Sequence, residues 1–279
     1  MIRVLKSTIK SLLTSFVKLL SKFSSGEYIY SIILNNAMNR IQKVSYKNLN
    51  LYFSTPNPLN QYRADTFSTK EPETLDWIDQ IPLNSVLWDI GANVGLYSCY
   101  AAKKKDCSVF SFEPSVFNLE LLARNIFLNN LNKKVTIVPL PLSDELNINN
   151  LNMTSTEWGG ALSTFGQSYG HDGKDMDKVF EFRTVGLSIV DACEKLNIPK
   201  PDYIKMDVDG IEHLILKGGM AVLEEVKGIL IEINDSFLTQ ADESKKYLEQ
   251  LGFKLVEKTH AEEFDTGMAK YTFNQIWTK

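Results

Sequence analysis

The alternation of strands and helices from Val86 onward predicts an α/β fold with a mostly parallel sheet and helices on both of its faces. Two further observations fill in that fold. The first strand of the series runs into a glycine-rich turn that opens a helix, an arrangement that puts a ligand crevice at the carboxyl ends of the strands. The last two strands follow one another with no helix between them, which predicts an antiparallel hairpin at one edge. A chain of 279 residues, 44% hydrophobic and 23% charged, suits one large domain or two small ones.

The elements are justified in order. Residues 1–26 form a basic amphipathic helix: Leu5, Ile9, Leu12, Leu13, Phe16, Leu19, Leu20 and Phe23 share one face at helical spacing, and Arg3, Lys6, Lys10, Lys18 and Lys22 lie off it. Residues 27–80 read as an extension or cap, with a short alternating strand at Leu49–Phe53, a break at Pro56, Asn57 and Pro58, and a helix at Glu73–Ile78. Residues 81–279 carry the main domain. Its strands are read at Val86–Ile90, Val109–Phe112, Val135–Leu140, Tyr203–Met206 and Ile229–Ile233. Its helices are read at Leu96–Lys103, Phe117–Leu128, Leu187–Leu196, Ile211–Leu223 and Lys245–Leu251, and the edge hairpin at Phe253–Glu257 and Tyr271–Trp277. The glycine-rich stretch 147–184 shows little periodicity. It is expected as a partly ordered loop with substrate contacts, or as a strand pair near Leu146–Met153 and Val179–Val185.

Composition excludes several functions. The charge is 30 basic against 34 acidic residues, and residues 1–26 hold five of the basic ones and none of the acidic, so the remainder carries 25 against 34. An acidic body argues against a nucleic-acid partner. No run of about 18 apolar residues marks a spanning helix. The three cysteines, Cys99, Cys107 and Cys193, lack metal-ligand spacing and fit a reducing, cytoplasmic compartment. For the first helix the expectation is packing on its own domain or on a second subunit as a homodimer. The competing reading is a peripheral contact of residues 1–24 with the anionic inner face of the cell membrane.

The turn Asp89-Ile-Gly91-Ala-Asn93-Val-Gly95 follows a strand and opens a helix, where glycines let the backbone approach a ligand and free N–H groups point outward. Its spacing is neither the dinucleotide fingerprint nor a phosphate-gripping loop. Glu113, followed by Pro114, stands at the end of the next strand, where a carboxylate accepts two ribose hydroxyls. Asp89 beneath the turn would repel a pyrophosphate and suit a cationic amine or sulfonium. The pair points to S-adenosylmethionine.

The stretches DIGANVG (89–95), FEPSVFNLELLARNI (112–126), LSD (142–144), DYIKMDVDGIEHLILKGG (202–219) and ILIEIN (229–234) together resemble the FkbM-type class I methyltransferases, and Lys70-Glu-Pro-Glu-Thr74 resembles members associated with bacterial polysaccharide genes. The resemblance implies a Rossmann-like, seven-stranded sheet and an S-adenosylmethionine-dependent methyltransferase acting on a sugar hydroxyl of a surface polysaccharide or lipid-linked glycan. It places Asp89, Gly91, Asn93 and Gly95 at the methionine part, Glu113 at the ribose, Ser143 and Asp144 near the adenine, and the methyl near Asp207. The alternatives are a non-catalytic, cofactor-binding partner subunit and a methyltransferase for a nitrogen or small-molecule acceptor.

The segment Lys205-Met-Asp207-Val-Asp209-Gly210-Ile-Glu212-His213 ends another strand and enters a helix. Transfer to a hydroxyl requires alignment and removal of a proton. Asp207 is the first choice of base or of amine holder, and His213, Glu212, Glu232 and Lys205 are the other catalytic candidates. Asp209 is read as a turn residue and helix cap. No metal is expected; the oxygen set considered for magnesium is Asp207, Asn234 and Asp235.

Overall fold

A computed structural model describes residues 2–261, 265–267 and 269–279. The side chains of residues 2–7 lie outside that description, among them Leu5 of the apolar face and Arg3 and Lys6 of the basic one.

The N-terminal segment holds α1 (Ile2–Leu20), α2 (Ser24–Met38), β1 (Ile41–Tyr46), β2 (Leu49–Ser54), α3 (Pro58–Asp65) and α4 (Pro72–Gln80). β1 and β2 pair as a two-residue hairpin, Tyr46 opposite Leu49, with Lys47 and Asn48 both at positive φ as that turn demands. β2 buries Leu51 and Phe53 against the main domain. Asn129 and Asn125 hold its edge through bonds from Tyr52 N (3.0 Å) and Ser54 N (2.7 Å) to their side-chain oxygens. In the single chain Ile9, Leu12, Leu13, Phe16 and Leu19 of α1 are all exposed rather than covered by the domain, which leaves a second subunit or a membrane as their partner.

The main domain runs β3 (Val86–Ile90), α5 (Leu96–Lys105), β4 (Ser108–Phe112), α6 (Val116–Leu128), β5 (Val135–Val138), β6 (Asn147–Met153), β7 (Ser163–Phe165), β8 (Phe180–Gly186), α7 (Ile189–Leu196), β9 (Tyr203–Met206), α8 (Glu212–Lys217), α9 (Met220–Leu223), β10 (Gly228–Asn234), α10 (Leu238–Gln250), β11 (Lys254–Thr259) and β12 (Thr272–Thr278). Seven strands form one sheet in the order β11-β12-β10-β9-β3-β4-β5. β12 alone runs against its neighbours β10 and β11; the other pairings are parallel. The expected edge hairpin is therefore present, with its second strand inserted beside β10. Chain order reverses at β3, which lies between β4 and β9, so the crevice opens beyond the carboxyl ends of these strands.

Side-chain alternation along β3 divides the core. Trp88 and Ile90 join Phe112, Met206, Ile215 and Leu223 on one face; Leu87 joins Leu51, Phe53, Tyr100 and Ile126 on the other. α7 starts at a capping box in which Ser188 and Asp191 bond reciprocally.

Two sequence expectations change in detail. The segment read as one helix over 211–223 is broken at Gly218 and Gly219. A Cβ on Gly218 would stand 2.6 Å from Asp144 Cα, so the bare backbone lets the 143–144 segment lie against it. Within the stretch 147–184 the alternative strand pair is present as β6 and β8, which form an antiparallel sheet with β7 in the order β7-β6-β8, and loops join the three strands. β6 and β8 pair over seven residues. The exposed positions mix Asn149, Glu181 and Arg183 with Ile148, Phe180 and Val185, so no clean alternation of polar and apolar residues marks the strands.

Candidate active site

A cavity of about 420 Å³ opens where β3, β4, β9 and β10 end. Its floor is the turn after β3. Gly91 N and Ala92 N donate to Phe112 O (2.9 and 3.0 Å), and Asp207 N donates to Ile90 O (3.0 Å), which fastens the turn between its neighbours. Gly91 has φ +82°, and a Cβ there would lie 1.8 Å from Asp207 O. Gly95, at φ +78°, would drive a Cβ to 2.3 Å from Leu122 of α6. Glycine is thus required at both places by the packing of the protein itself, a reason additional to ligand approach.

Glu113 projects from the end of β4 into the cavity. Its carboxylate accepts from Asn93 N (2.7 Å), Ser115 N (2.8 Å) and Asn118 Nδ2 (3.4 Å). A carboxylate offers about four acceptor positions. One remains, and the longest bond is replaceable, so a ribose diol fits here. Burial pushes Glu113 up to about 7 despite those donors.

The other wall is charged. Lys205 is buried and lies 3.4 Å from Asp207 and 3.8 Å from Asp89. Burial opposes its charge, but Asp207, Asp89 and Glu71 outweigh burial and raise it. Lys70 and Glu71, just before α4, form an ion pair at the same wall, and Tyr97 of α5 bonds to Glu71. Burial opposes the Glu71 charge too, yet Lys70 and Lys205 hold its carboxyl below the ordinary range. Asp209 is pushed up to about 6, by burial first and then by Asp207. Glu232 is raised well above the ordinary range, again by burial first and then by Asp207 and Glu71. The wall therefore holds more carboxyl groups than cations, a setting that favours a cationic ligand.

Asp207, Asp209 and Glu232 each offer an oxygen within 4.8 Å of the others, so among the described residues this is the group able to hold a metal ion. The set Asp207, Asn234 and Asp235 does not assemble. Asn234 Oδ1 accepts from Ser236, and Asp235 pairs with Lys258 at 2.6 Å.

Of the residues singled out from sequence, Gly91, Asn93, Glu113, Pro114, Lys205, Asp207 and Glu232 line the cavity. Asp89, Gly95, Ser143, Asp144, Glu212 and His213 do not. Strand alternation turns Asp89 toward α5, where Ser98 donates to it and its register partner Lys205 lies beside it. Burial raises Asp89 against the pull of Lys205. Asp144 pairs with Lys217 at 3.0 Å, and Leu140, Pro141 and Leu142 line the cavity in its place. Glu212 is buried and clamps the turn before it: its oxygens accept from Val208 N and Gly210 N, each at 3.0 Å, and from Gln240 Nε2. His213 is 2% exposed and packs edge-on to Phe237, and burial lowers its pKa. Asp209 does not cap α8. It accepts from Leu162 N (2.7 Å) and Ser163 N (3.3 Å), which ties a strap over 158–163 across the cavity. Asn93 and Asn118 both donate to Gly160 O, and Arg63 of α3 donates to Gly159 O, so the N-terminal extension helps hold that strap.

Sequence reasoning missed Arg63, Tyr97 and the Lys70–Glu71 pair as parts of the site. The stretch Lys70–Thr74 stood out in the sequence for its resemblance alone, with no role in the site attached to it.

The chain matches a family model and a curated relative. The family model described as the methyltransferase FkbM domain matches residues 89–255. The hexuronic acid methyltransferase AglP of Haloferax volcanii is 25% identical over 169 residues, covering 56% of this chain and 59% of that protein. A crystal structure of an FkbM methyltransferase from Methylobacillus flagellatus superposes with a TM-score of 0.51 at 13% identity, covering 79% of this chain and 52% of that one. A precorrin-6y C5,15-methyltransferase from Geobacter metallireducens gives a TM-score of 0.43 at 17% identity, over 75% of this chain and 86% of that one. The matched stretch begins at the β3 turn and takes in β4, β9 and β10, whose ends border the cavity, and on it the chain belongs to the FkbM methyltransferase family.

Proposed function

We propose that this methyltransferase uses S-adenosylmethionine to methylate a sugar hydroxyl of a surface polysaccharide or lipid-linked glycan. The observation that carries the donor is the excess of carboxyl groups in the wall beside Glu113: a sulfonium supplies the missing positive charge, and a ribose meets Glu113. Asn93 and Glu113 would hold the nucleoside, with Pro114 and Leu142 along its base. Asp207, steadied by Lys205, would face the amine or the reacting methyl. The likeness to a hexuronic acid methyltransferase favours a sugar acceptor.

The donor supplies an electrophilic methyl when bound. In the transfer an O–C bond forms as the S–C bond breaks, and the hydroxyl proton must leave. Asp207 is the acceptor of that proton in this reading, since it lines the cavity and has the Lys205 ammonium as its counter-charge. Glu232, whose carboxyl is raised well above the ordinary range by burial and then by Asp207, would hydrogen-bond the acceptor sugar rather than act as base. Glu212 positions Asp207 by fixing the turn after it.

Purified protein incubated with radiolabelled S-adenosylmethionine and a panel of neutral and uronic glycans tests the reading. Label is expected in an alkali-stable ether on one sugar class. Donor binding without transfer to any hydroxyl, with transfer to an amine, would replace the oxygen acceptor by a nitrogen one. Failure to bind the donor would overturn the reading.

A further inference from the structure

The first two helices form a surface that the methyltransferase chemistry does not use. In α1 the exposed apolar residues recur as Ile9, Leu12, Leu13, Phe16 and Leu19, and Phe23 continues the stripe past the helix end. At roughly 100° per residue they fall within a band of about 120°. Lys10 borders that band on one side, Lys18 lies behind it, and Lys22 stands in the turn after the helix. α2 adds Tyr28, Ile29, Ile32 and Ile33, between 42% and 70% exposed. The two helices meet where Gly26 packs against Leu20; a Cβ on Gly26 would lie 1.8 Å from Leu20 O. Elsewhere most of their described apolar residues are exposed. A folded chain seldom leaves so long a contiguous apolar stripe in water.

We propose that α1 and α2 dock on an anionic lipid surface, with the apolar stripe in the acyl boundary and the lysines at the headgroup phosphates. Charge identifies this occupant. Residues 1–26 hold five cations and no acidic residue, and the first carboxylate is Glu27. Lysines at the borders of an apolar stripe lay their stems along it and lift their ammonium groups to phosphate depth. Among the described residues no helix is long and apolar enough to cross a membrane, so the pair lies on the surface rather than through it. Pairing of α1 with its counterpart in a second copy would bring two lysine-flanked stripes together with no carboxylate to balance them. An anionic bilayer supplies that balance. The domain itself, with 25 basic and 34 acidic residues beyond position 26, gives such a surface no comparable attraction.

The test is co-sedimentation of the full chain with vesicles of phosphatidylcholine alone or with one quarter phosphatidylglycerol, at low and high salt. Binding is expected to be roughly tenfold or more tighter on the anionic vesicles and to fall with salt. The pair Leu12→Asp with Phe16→Asp should abolish it, and Lys10→Glu, Lys18→Glu and Lys22→Glu together should remove the anionic preference. Both sets lie outside the cavity, so thermal unfolding and donor binding should match the parent, and vesicle binding is read without any methyl transfer. Equal sedimentation of parent and variants would overturn the proposal. So would absence of vesicle binding in a protein that runs as a dimer and becomes monomeric with the aspartates.

Discussion

Lys205 is the buried cation on which the charged wall rests, and replacing it by methionine tests how the wall is built. Methionine keeps the length and bulk of the stem and removes the ammonium. Asp89 is 1% exposed and would keep Ser98 but lose its counter-charge; Asp207 would lose the neighbour 3.4 Å away. Breaking a buried ion pair by deleting one partner costs about 3–5 kcal/mol. With a slope on the order of 3 kcal/mol per molar urea, the midpoint should fall by roughly 1–1.7 M near neutral pH. The direction with pH follows from Asp89, whose folded pKa already lies above its ordinary 3.8. A raised carboxyl binds more protons folded than unfolded above that value, so it withdraws stability as pH rises. Loss of Lys205 would raise it further. The deficit of Lys205→Met should therefore be large at about pH 8 and shrink toward pH 5. Adding Asp89→Asn should recover part of it, because a neutral pair leaves no orphaned charge. The assay is urea unfolding followed by tryptophan fluorescence at the two pH values. A single variant that loses under about 1 kcal/mol, equally at both, would refute the claim that Lys205 neutralises this wall.

Four other outcomes follow from the site. Gly91→Ala should cost about 1–2 kcal/mol for a side chain at positive φ and about 1–3 kcal/mol for the collision with Asp207 O; calorimetric unfolding unchanged from the parent would be inconsistent with the close approach. Glu113→Ala should weaken S-adenosylmethionine by roughly 1.5–3 kcal/mol, on the order of tenfold to a hundredfold in Kd, and titration calorimetry showing parental affinity would remove Glu113 from the donor site. His213→Ala should leave kcat within a few-fold while lowering the melting temperature, and a thousandfold loss of turnover with intact folding would return His213 to the catalytic group. Glu113 and Glu212, each raised to about 7, and Asp209, raised to about 6, bind more protons folded than unfolded above their ordinary values. The ligand-free protein should thus lose stability as pH climbs through about 5 to 7, and a bound sulfonium donor should flatten that slope; thermal scans with and without donor that run parallel would contradict the carboxyl excess.

The strand–helix rhythm from Val86, the glycine turn, the carboxylate at the end of β4 and the acidic stretch 205–213 were all legible in the order of residues, because each depends on local spacing. Strand ends in such a sheet face one crevice, so Gly91, Glu113, Asp207 and Glu232 could be placed there before any coordinates. Spacing could not decide which way a side chain turns near the end of a strand. Asp89 sits in the turn motif and yet points at Ser98 and Lys205, since its neighbour Ile90 occupies the other face. Glu212 and His213 follow Asp207 closely and yet are spent on a turn clamp and on core packing.

The long-range partners were hidden for a different reason. Lys70, Glu71 and Arg63 reach the site because the β1–β2 hairpin docks through Asn125 and Asn129 and carries α3 and α4 against the domain, where Glu71 meets Tyr97 of α5. The strap over 158–163 is held by Arg63, Asn93, Asn118 and Asp209, contributed by four separate parts of the chain. The sequence by itself determined the sheet, the turn and the chemical character of the crevice, all of which are set by contacts between near neighbours and by one repeating connection. Only the tertiary structure decided which acids face the ligand, which are neutralised by Lys205 and Lys70, and which serve the backbone. Those outcomes depend on burial and on charges brought together from distant positions, and neither is encoded in local spacing.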